Sequence, residues 1–266
     1  MNTIKNLKKH EILVYLIVTF LFTWVFWSIY FASSNGLFRI LGAFMPSVMS
    51  ILFTGYYYGK SGIRDLLKKL TTWKINPLFY VFALFYTAAS IYIPSYICTI
   101  TGFNYKIHIS NSVFGFHLNN PITTLSLFLL IMFFGGPLAE ELGWRGFVLP
   151  KLQKKFNPLI SSIILAFIWS CWHLPFFLTH APGYDINFII YLIETIWLTI
   201  LFTWLYNRTN GNLLIVILYH TVDNFVLLLC SSDFMIQFNR YSVILNSLRF
   251  IVLLFIIFDM TRKPAS

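Results

Sequence analysis

Charge is what this sequence has least of. Asp, Glu, Lys and Arg together make up 11% of its 266 residues, against about a quarter in an ordinary soluble domain. A soluble chain of this length has no means of covering its surface with so few charges. Disordered and coiled-coil architectures are excluded on the same ground, since both need polar sequence. Cysteine is scarce too. Cys98, Cys171 and Cys230 are too few and too scattered for a disulfide framework or a paired-cysteine metal site. Each lies in an apolar run, where a lone thiol serves as a small buried hydrophobe. The His-Glu-x-x-His string of the common zinc proteases is missing. No solenoid-scale repeat and no appended soluble domain can be read along the chain.

What is present is apolar. Hydrophobic residues reach 58%, aromatic residues 20% and mean hydropathy +0.74, the composition of a chain that lives in a bilayer. A membrane-crossing helix needs about 20 mostly apolar residues, and the runs Ile12–Ala32, Ile40–Gly59, Pro77–Thr101, one opening at Pro121, Pro158–Thr179, Ile186–Tyr206, Leu213–Cys230 and Tyr241–Phe258 each approach that length. The expected fold is an all-α membrane protein, a bundle of about eight transmembrane helices forming one domain over 1–266. Between the second and third runs, Lys60–Asn76 places Ile63, Leu66, Leu67 and Leu70 at helical spacing. This predicts an amphipathic helix in the membrane interface with Arg64, Lys68 and Lys69 toward phosphate.

The net charge of +10 does not point to nucleic acid, because the cations lie in loops between apolar runs, the pattern of cytoplasmic membrane loops. An N-terminus on the inner side collects Lys5, Lys8, Lys9, the Lys60–Lys74 cations, Arg145, Lys151, Lys154, Lys155, Arg208, Arg262 and Lys263 there. Only Arg39, Lys106 and Arg240 fall outside, so both termini are expected in the cytosol. The first run is too long for a signal-peptide core and is read as a retained helix. Abundant Ile, Lys, Asn and Phe suit an AT-rich bacterial genome, which makes a bacterial plasma membrane the expected location.

Polar groups inside spans are costly and call for a partner or a task. Glu140-Glu141-Leu142-Gly143-Trp144-Arg145 closes the fourth run. Glu141 and Arg145 are four residues apart with the acid first, the favoured order for a helical ion pair, which leaves Glu140 without that partner. The fifth run carries Trp169-Ser170-Cys171-Trp172-His173-Leu174-Pro175, with Pro175 placed to reshape the helix beside the imidazole. The seventh carries His220 and Asn224 one turn apart on one face, beside Asp223, which is a candidate to orient that imidazole or to cap the site. Each motif alone is equally consistent with a helix end among headgroups or with interhelical hydrogen bonds. Together, one carboxylate and two imidazoles meeting in a dry site would make a water-activating centre. Glu194 and Arg249, on the sixth and eighth runs, are candidates to neutralise each other, the alternative being that either faces an aqueous cavity or snorkels.

The ordered set Glu-Glu-x-x-x-Arg, aromatic-x-x-x-His and His-x-x-x-Asn resembles the CPBP family, also known as type II CAAX prenyl endopeptidases, Abi proteins and bacteriocin-processing or self-immunity proteins. The likeness covers about residues 121 to 230. Trp169 stands where the second motif usually has Phe, an aromatic exchange that puts little of the likeness in doubt. The resemblance implies an intramembrane endopeptidase opening toward the cytosol. In it Glu140 would be the general base, His173 its partner in activating water, His220 and Asn224 the oxyanion donors, and Glu141 with Arg145 a structural ion pair.

The metal-free, glutamate-type mechanism is the preferred reading, because Asn224 suits an oxyanion donor better than a metal ligand. The alternative is a Zn2+ site of Glu140, His173 and His220 with an open water position. The expected partners are membrane lipids and a peptide reaching the site from the bilayer or the cytosol. Competing functions are a catalytically inert bacteriocin-immunity or scaffold protein of the same family, and a transporter. The transporter is disfavoured because no pair of broken helices suggests inverted repeats.

Overall fold

The computed structural model describes residues 10–103, 105, 107, 109–230 and 240–262. Lys5, Lys8, Lys9, Lys106 and Lys263 of the charge distribution therefore lie outside the described residues. Helices α1 (Glu11–Ser33), α2 (Gly36–Lys68) and α3 (Pro77–Ile100) are followed by a short antiparallel hairpin, β1 (Ser112–Val113) and β2 (Phe116–His117). Next come α4 (Pro121–Phe134), α5 (Pro137–Gly143), a π-helical turn over Trp144–Val148, and α6 (Leu149–Leu152). The chain then forms α7 (Pro158–Trp172), α8 (Leu174–Leu178), α9 (Phe188–Arg208), α10 (Leu213–Leu229) and α11 (Arg240–Arg262).

Six of these segments are long and apolar enough to cross a membrane: Glu11–Ser33, Gly36–Lys68, Pro77–Ile100, the composite Pro121–Leu152, Phe188–Arg208 and Arg240–Arg262. The other two expected runs are shorter apolar helices, Pro158–Trp172 and Leu213–Leu229. The all-α membrane architecture stands; His173 caps the end of the first short helix and His220 lies within the second.

Asparagine sets the helix starts. Asn35, Asn76, Asn120, Asn157, Asn187 and Asn212 each occupy the N-cap, and each side chain accepts a bond from a backbone N–H two or three residues on. This satisfies donors that would otherwise be orphaned at a helix end. Three of the caps are followed by proline, at Pro77, Pro121 and Pro158, where a missing N–H costs nothing. At the hairpin tip Phe114 (φ 50°) and Gly115 (φ 81°) both take positive φ, the backbone that a tight two-residue turn demands.

The interfacial helix differs from expectation. α2 kinks at Gly59 (φ 67°, ψ −164°) and ends at Lys68 rather than near Asn76. Its apolar side docks on the bundle, with Leu66 5% exposed. Lys69 does not face phosphate. Its Nζ donates to the Tyr206 hydroxyl at 2.9 Å and the Gly146 carbonyl at 3.4 Å, and burial pulls the amine below its ordinary pKa. The Lys69 carbonyl accepts from Leu213 N–H at 3.0 Å, so the end of α2 is tied to the start of α10.

The core joins the first helix to the middle of the chain: Tyr15 and Trp27 pack with Trp144, Phe147, Leu149, Leu165 and Trp172 in one almost fully buried cluster. The outer faces of α1, α3, α4 and α11 instead expose large apolar side chains such as Leu21, Phe85, Leu125 and Phe255, as helices bounded by lipid would.

Candidate active site

The fourth run breaks into two helices. α4 stops at Phe134, and Gly136, at φ 118°, redirects the backbone into α5. Glycine is favoured there because φ 118° is a backbone that L side chains rarely adopt, and a Cβ at Gly136 would also lie 2.5 Å from Glu140 Oε1. The break sets Glu140 in the first turn of α5, where a helix N-terminus favours negative charge. Glu140 is 6% exposed, and its Oε2 accepts a 2.6 Å hydrogen bond from Trp169 Nε1. The tryptophan at this position thus supplies a donor that a phenyl ring does not have.

Glu141 and Arg145 are both fully buried and paired, Arg145 Nη1 to Glu141 Oε1 at 3.0 Å, as their spacing predicts. Arg145 lies in the π-helical turn. Its guanidinium sits 4.5 Å from the centroids of both Trp169 and Phe202, and its Nη2 donates to Thr199 at 3.3 Å. Glu141 has a further partner that the spacing did not reveal. Its Oε1 also lies 2.8 Å from His220 Nδ1. A carboxylate only accepts, so His220 carries its proton on Nδ1.

His173 sits where α7 ends at Trp172 and α8 restarts at Leu174, the interruption that Pro175 predicts. Its Nδ1 is 3.1 Å from the Trp169 carbonyl, which again places the proton on Nδ1 and leaves Nε2 as the basic nitrogen. Trp172, Tyr184 and Tyr191 surround the ring, with centroids 4.7, 5.9 and 5.7 Å away. Neither tyrosine stands out in the sequence, because both come from the segment that folds back after α8.

His220 is 3% exposed and packs against Phe202 and Trp169 at 5.2 and 5.6 Å. Asn224 follows one turn later on α10, half-buried. Asp223 does not orient His220. Its Oδ1 accepts from Thr87 of α3 at 2.9 Å, and Glu141 holds the imidazole instead. Glu194 and Arg249 pair at 3.0 Å as expected. The structure thus links Glu140, Glu141, Arg145, His173 and His220 through Trp169 and its neighbours, with Asn224 beside them on the His220 helix.

The zinc alternative requires Glu140, His173 and His220 to converge on one ion. Among the described residues no group of three or more His, Cys, Asp or Glu side chains is placed to hold a metal. The donors of that alternative are not assembled as a ligand set.

A many-helix membrane bundle with carboxylates and imidazoles buried between its helices holds groups that are costly in a bilayer and mark a functional site. Residues 122–226 match the family model described as Type II CAAX prenyl endopeptidase Rce1-like. The chain is also 23% identical over 234 residues to a protein named CAAX prenyl protease 2 from Methanococcus maripaludis, covering 81% of this chain and 83% of that one. The likeness to that family model thus covers the segment from α4 to α10 that holds Glu140, His173 and His220.

Proposed function

We propose that the protein is an intramembrane endopeptidase in which Glu140 and His173 activate a water molecule for attack on a peptide carbonyl. The observation that carries this reading is the buried carboxylate of Glu140, held by Trp169, whose own carbonyl fixes the tautomer of His173. Glu140 takes the proton as water oxygen bonds to the carbonyl carbon, then returns it to the leaving amine as the C–N bond breaks. His173 Nε2 accepts a hydrogen bond from the same water.

Asn224 donates to the developing oxyanion, and His220 joins it only when its ring carries a proton on Nε2 as well as on Nδ1. Donors set in advance in a water-poor site stabilise such charge far more than donors in water. The Glu141 bond to Nδ1 of His220 keeps that ring in one orientation and leaves its other edge for the substrate. No cofactor takes part.

The substrate class proposed is a membrane-delivered peptide, with prenylated Cys-a-a-X ends or bacteriocin-like precursors as its candidates. It reaches the site from the lipid or from the cytosol. The cation distribution favours an N-terminus and C-terminus in the cytosol, and a composition rich in Ile, Lys, Asn and Phe favours a bacterial plasma membrane. Nucleic acid has no part in this reading.

The test is cleavage of an internally quenched, farnesylated Cys-a-a-X peptide by purified protein in detergent, against the same peptide without the lipid and against a signal-peptide-like precursor. Product masses locate the scissile bond. Release of a fragment from any of the three, lost in His173→Ala, supports the peptidase. Binding of these peptides with no bond cleaved would favour the inert immunity or scaffold role.

A further inference from the structure

Trp169 touches each of the groups buried around it in a different way. Its indole N–H donates to Glu140 Oε2 at 2.6 Å. Its backbone carbonyl accepts from His173 Nδ1 at 3.1 Å. Its ring lies 4.5 Å from the Arg145 guanidinium and meets His220 nearly perpendicularly, 80° at 5.6 Å. The side chain is 4% exposed.

A phenyl ring in the same slot would keep the cation and imidazole contacts and the backbone bond to His173. It would lose only the donor. A hydrogen bond to a carboxylate is short and about twice as strong as a neutral one, and a dry surrounding strengthens it further. It also selects one oxygen. With Oε2 engaged and Oε1 set over Gly136, the carboxyl group has a defined rotamer.

We infer that Trp169 is the positioning residue of this site. Its indole N–H holds Glu140 with Oε1 presented to the water, while its carbonyl presents Nε2 of His173, so that one residue aligns both groups. This rests on the reading of Glu140 and His173 as the water-activating pair. It makes the aromatic position of the second motif, in this chain, a hydrogen-bonding position as well as a packing one.

The experiment compares wild type with Trp169→Phe, with Trp169 replaced by benzothienylalanine (the same bicyclic shape without the N–H), and with Glu140→Gln. Each protein is assayed on the farnesylated peptide or whichever of the three peptides proves to be cleaved. The indole N–H proton resonance of Trp169, identified by its loss in Trp169→Phe, is followed in Glu140→Leu. The inference expects Glu140→Gln to be inactive. Both donorless variants should fold and keep the wild-type KM, with kcat lowered about ten-fold or more, since sub-ångström misplacement of a catalytic group is costly. The indole resonance should move upfield when Glu140 becomes Leu.

Wild-type kcat in the donorless variants beside an inactive Glu140→Gln overturns the positioning role and leaves the general base standing. A defect in Trp169→Phe that benzothienylalanine repairs overturns it as well, because the role is then packing. Full activity in Glu140→Gln overturns the general-base reading itself, and the positioning role falls with it.

Discussion

One oxygen of Glu141 serves two partners: Oε1 lies 3.0 Å from Arg145 Nη1 and 2.8 Å from His220 Nδ1. The ion pair at the helix end is therefore joined to an imidazole on α10, and a residue expected to be only structural also holds a ring beside the proposed reaction. Removing either charge strands the other in a fully buried place, which costs about 3–5 kcal/mol. Arg145→Ala should lower folded yield and thermal stability in detergent before any specific loss of cleavage. Glu141→Ala should do both at once, with residual activity per folded molecule well below that of Arg145→Ala. Equal specific activities would show that the His220 bond has no catalytic consequence.

Gly136 offers a sharper probe of geometry. A methyl group there would meet Glu140 Oε1 at 2.5 Å on a backbone at φ 118°. Gly136→Ala is expected to displace the carboxylate and lower kcat by up to about a hundred-fold. Gly102→Ala, also at positive φ but with nothing within 4 Å of the added methyl, should strain its own turn and leave turnover alone. Steady-state kinetics on the two variants separates carboxylate displacement from general backbone strain.

Glu194 and Arg249 pair at 3.0 Å while partly exposed. Arg249→Met alone leaves a carboxylate without its cation at the bundle surface and should lower thermal stability. The double variant Glu194→Gln with Arg249→Met should recover most of the loss, because an unpaired charge in lipid is the costly species. Failure of the second change to restore stability would mean that the pair contributes through packing alone.

Metal dependence gives a further outcome. The proposed chemistry needs no ion, so cleavage should persist after exhaustive chelation and added zinc should not change it. Inactivation by chelation, with recovery at about one zinc per chain, is what a three-ligand catalytic site would produce.

Much of this was legible in the sequence. Scarce charge and long apolar runs predict the helical membrane bundle, and costly charges predict their own partners. Glu141 and Arg145 are a fixed helical spacing apart, and Glu194 and Arg249 are opposite charges on two spans, each costly alone in lipid. Pro175 foretells the interruption beside His173. What stayed hidden depends on side chains meeting across helices. The aim of the Trp169 indole at Glu140, the second bond of Glu141, and the capture of Asp223 by Thr87 all arise from interhelical packing, for which no local pattern exists. Lys69 shows the same limit from the other side. Its amphipathic spacing assigns it to the interface, yet its amine turns inward to Tyr206.

The most direct test of the central claim is the turnover of purified, folded Glu140→Gln on the peptide that wild type cleaves, with peptide binding measured in parallel. Gln keeps the shape of the side chain and removes its basicity. Cleavage should vanish while the affinity for the peptide stays within about two-fold of wild type, since a transition-state role does not depend on ground-state binding. Wild-type cleavage by Glu140→Gln would contradict the account.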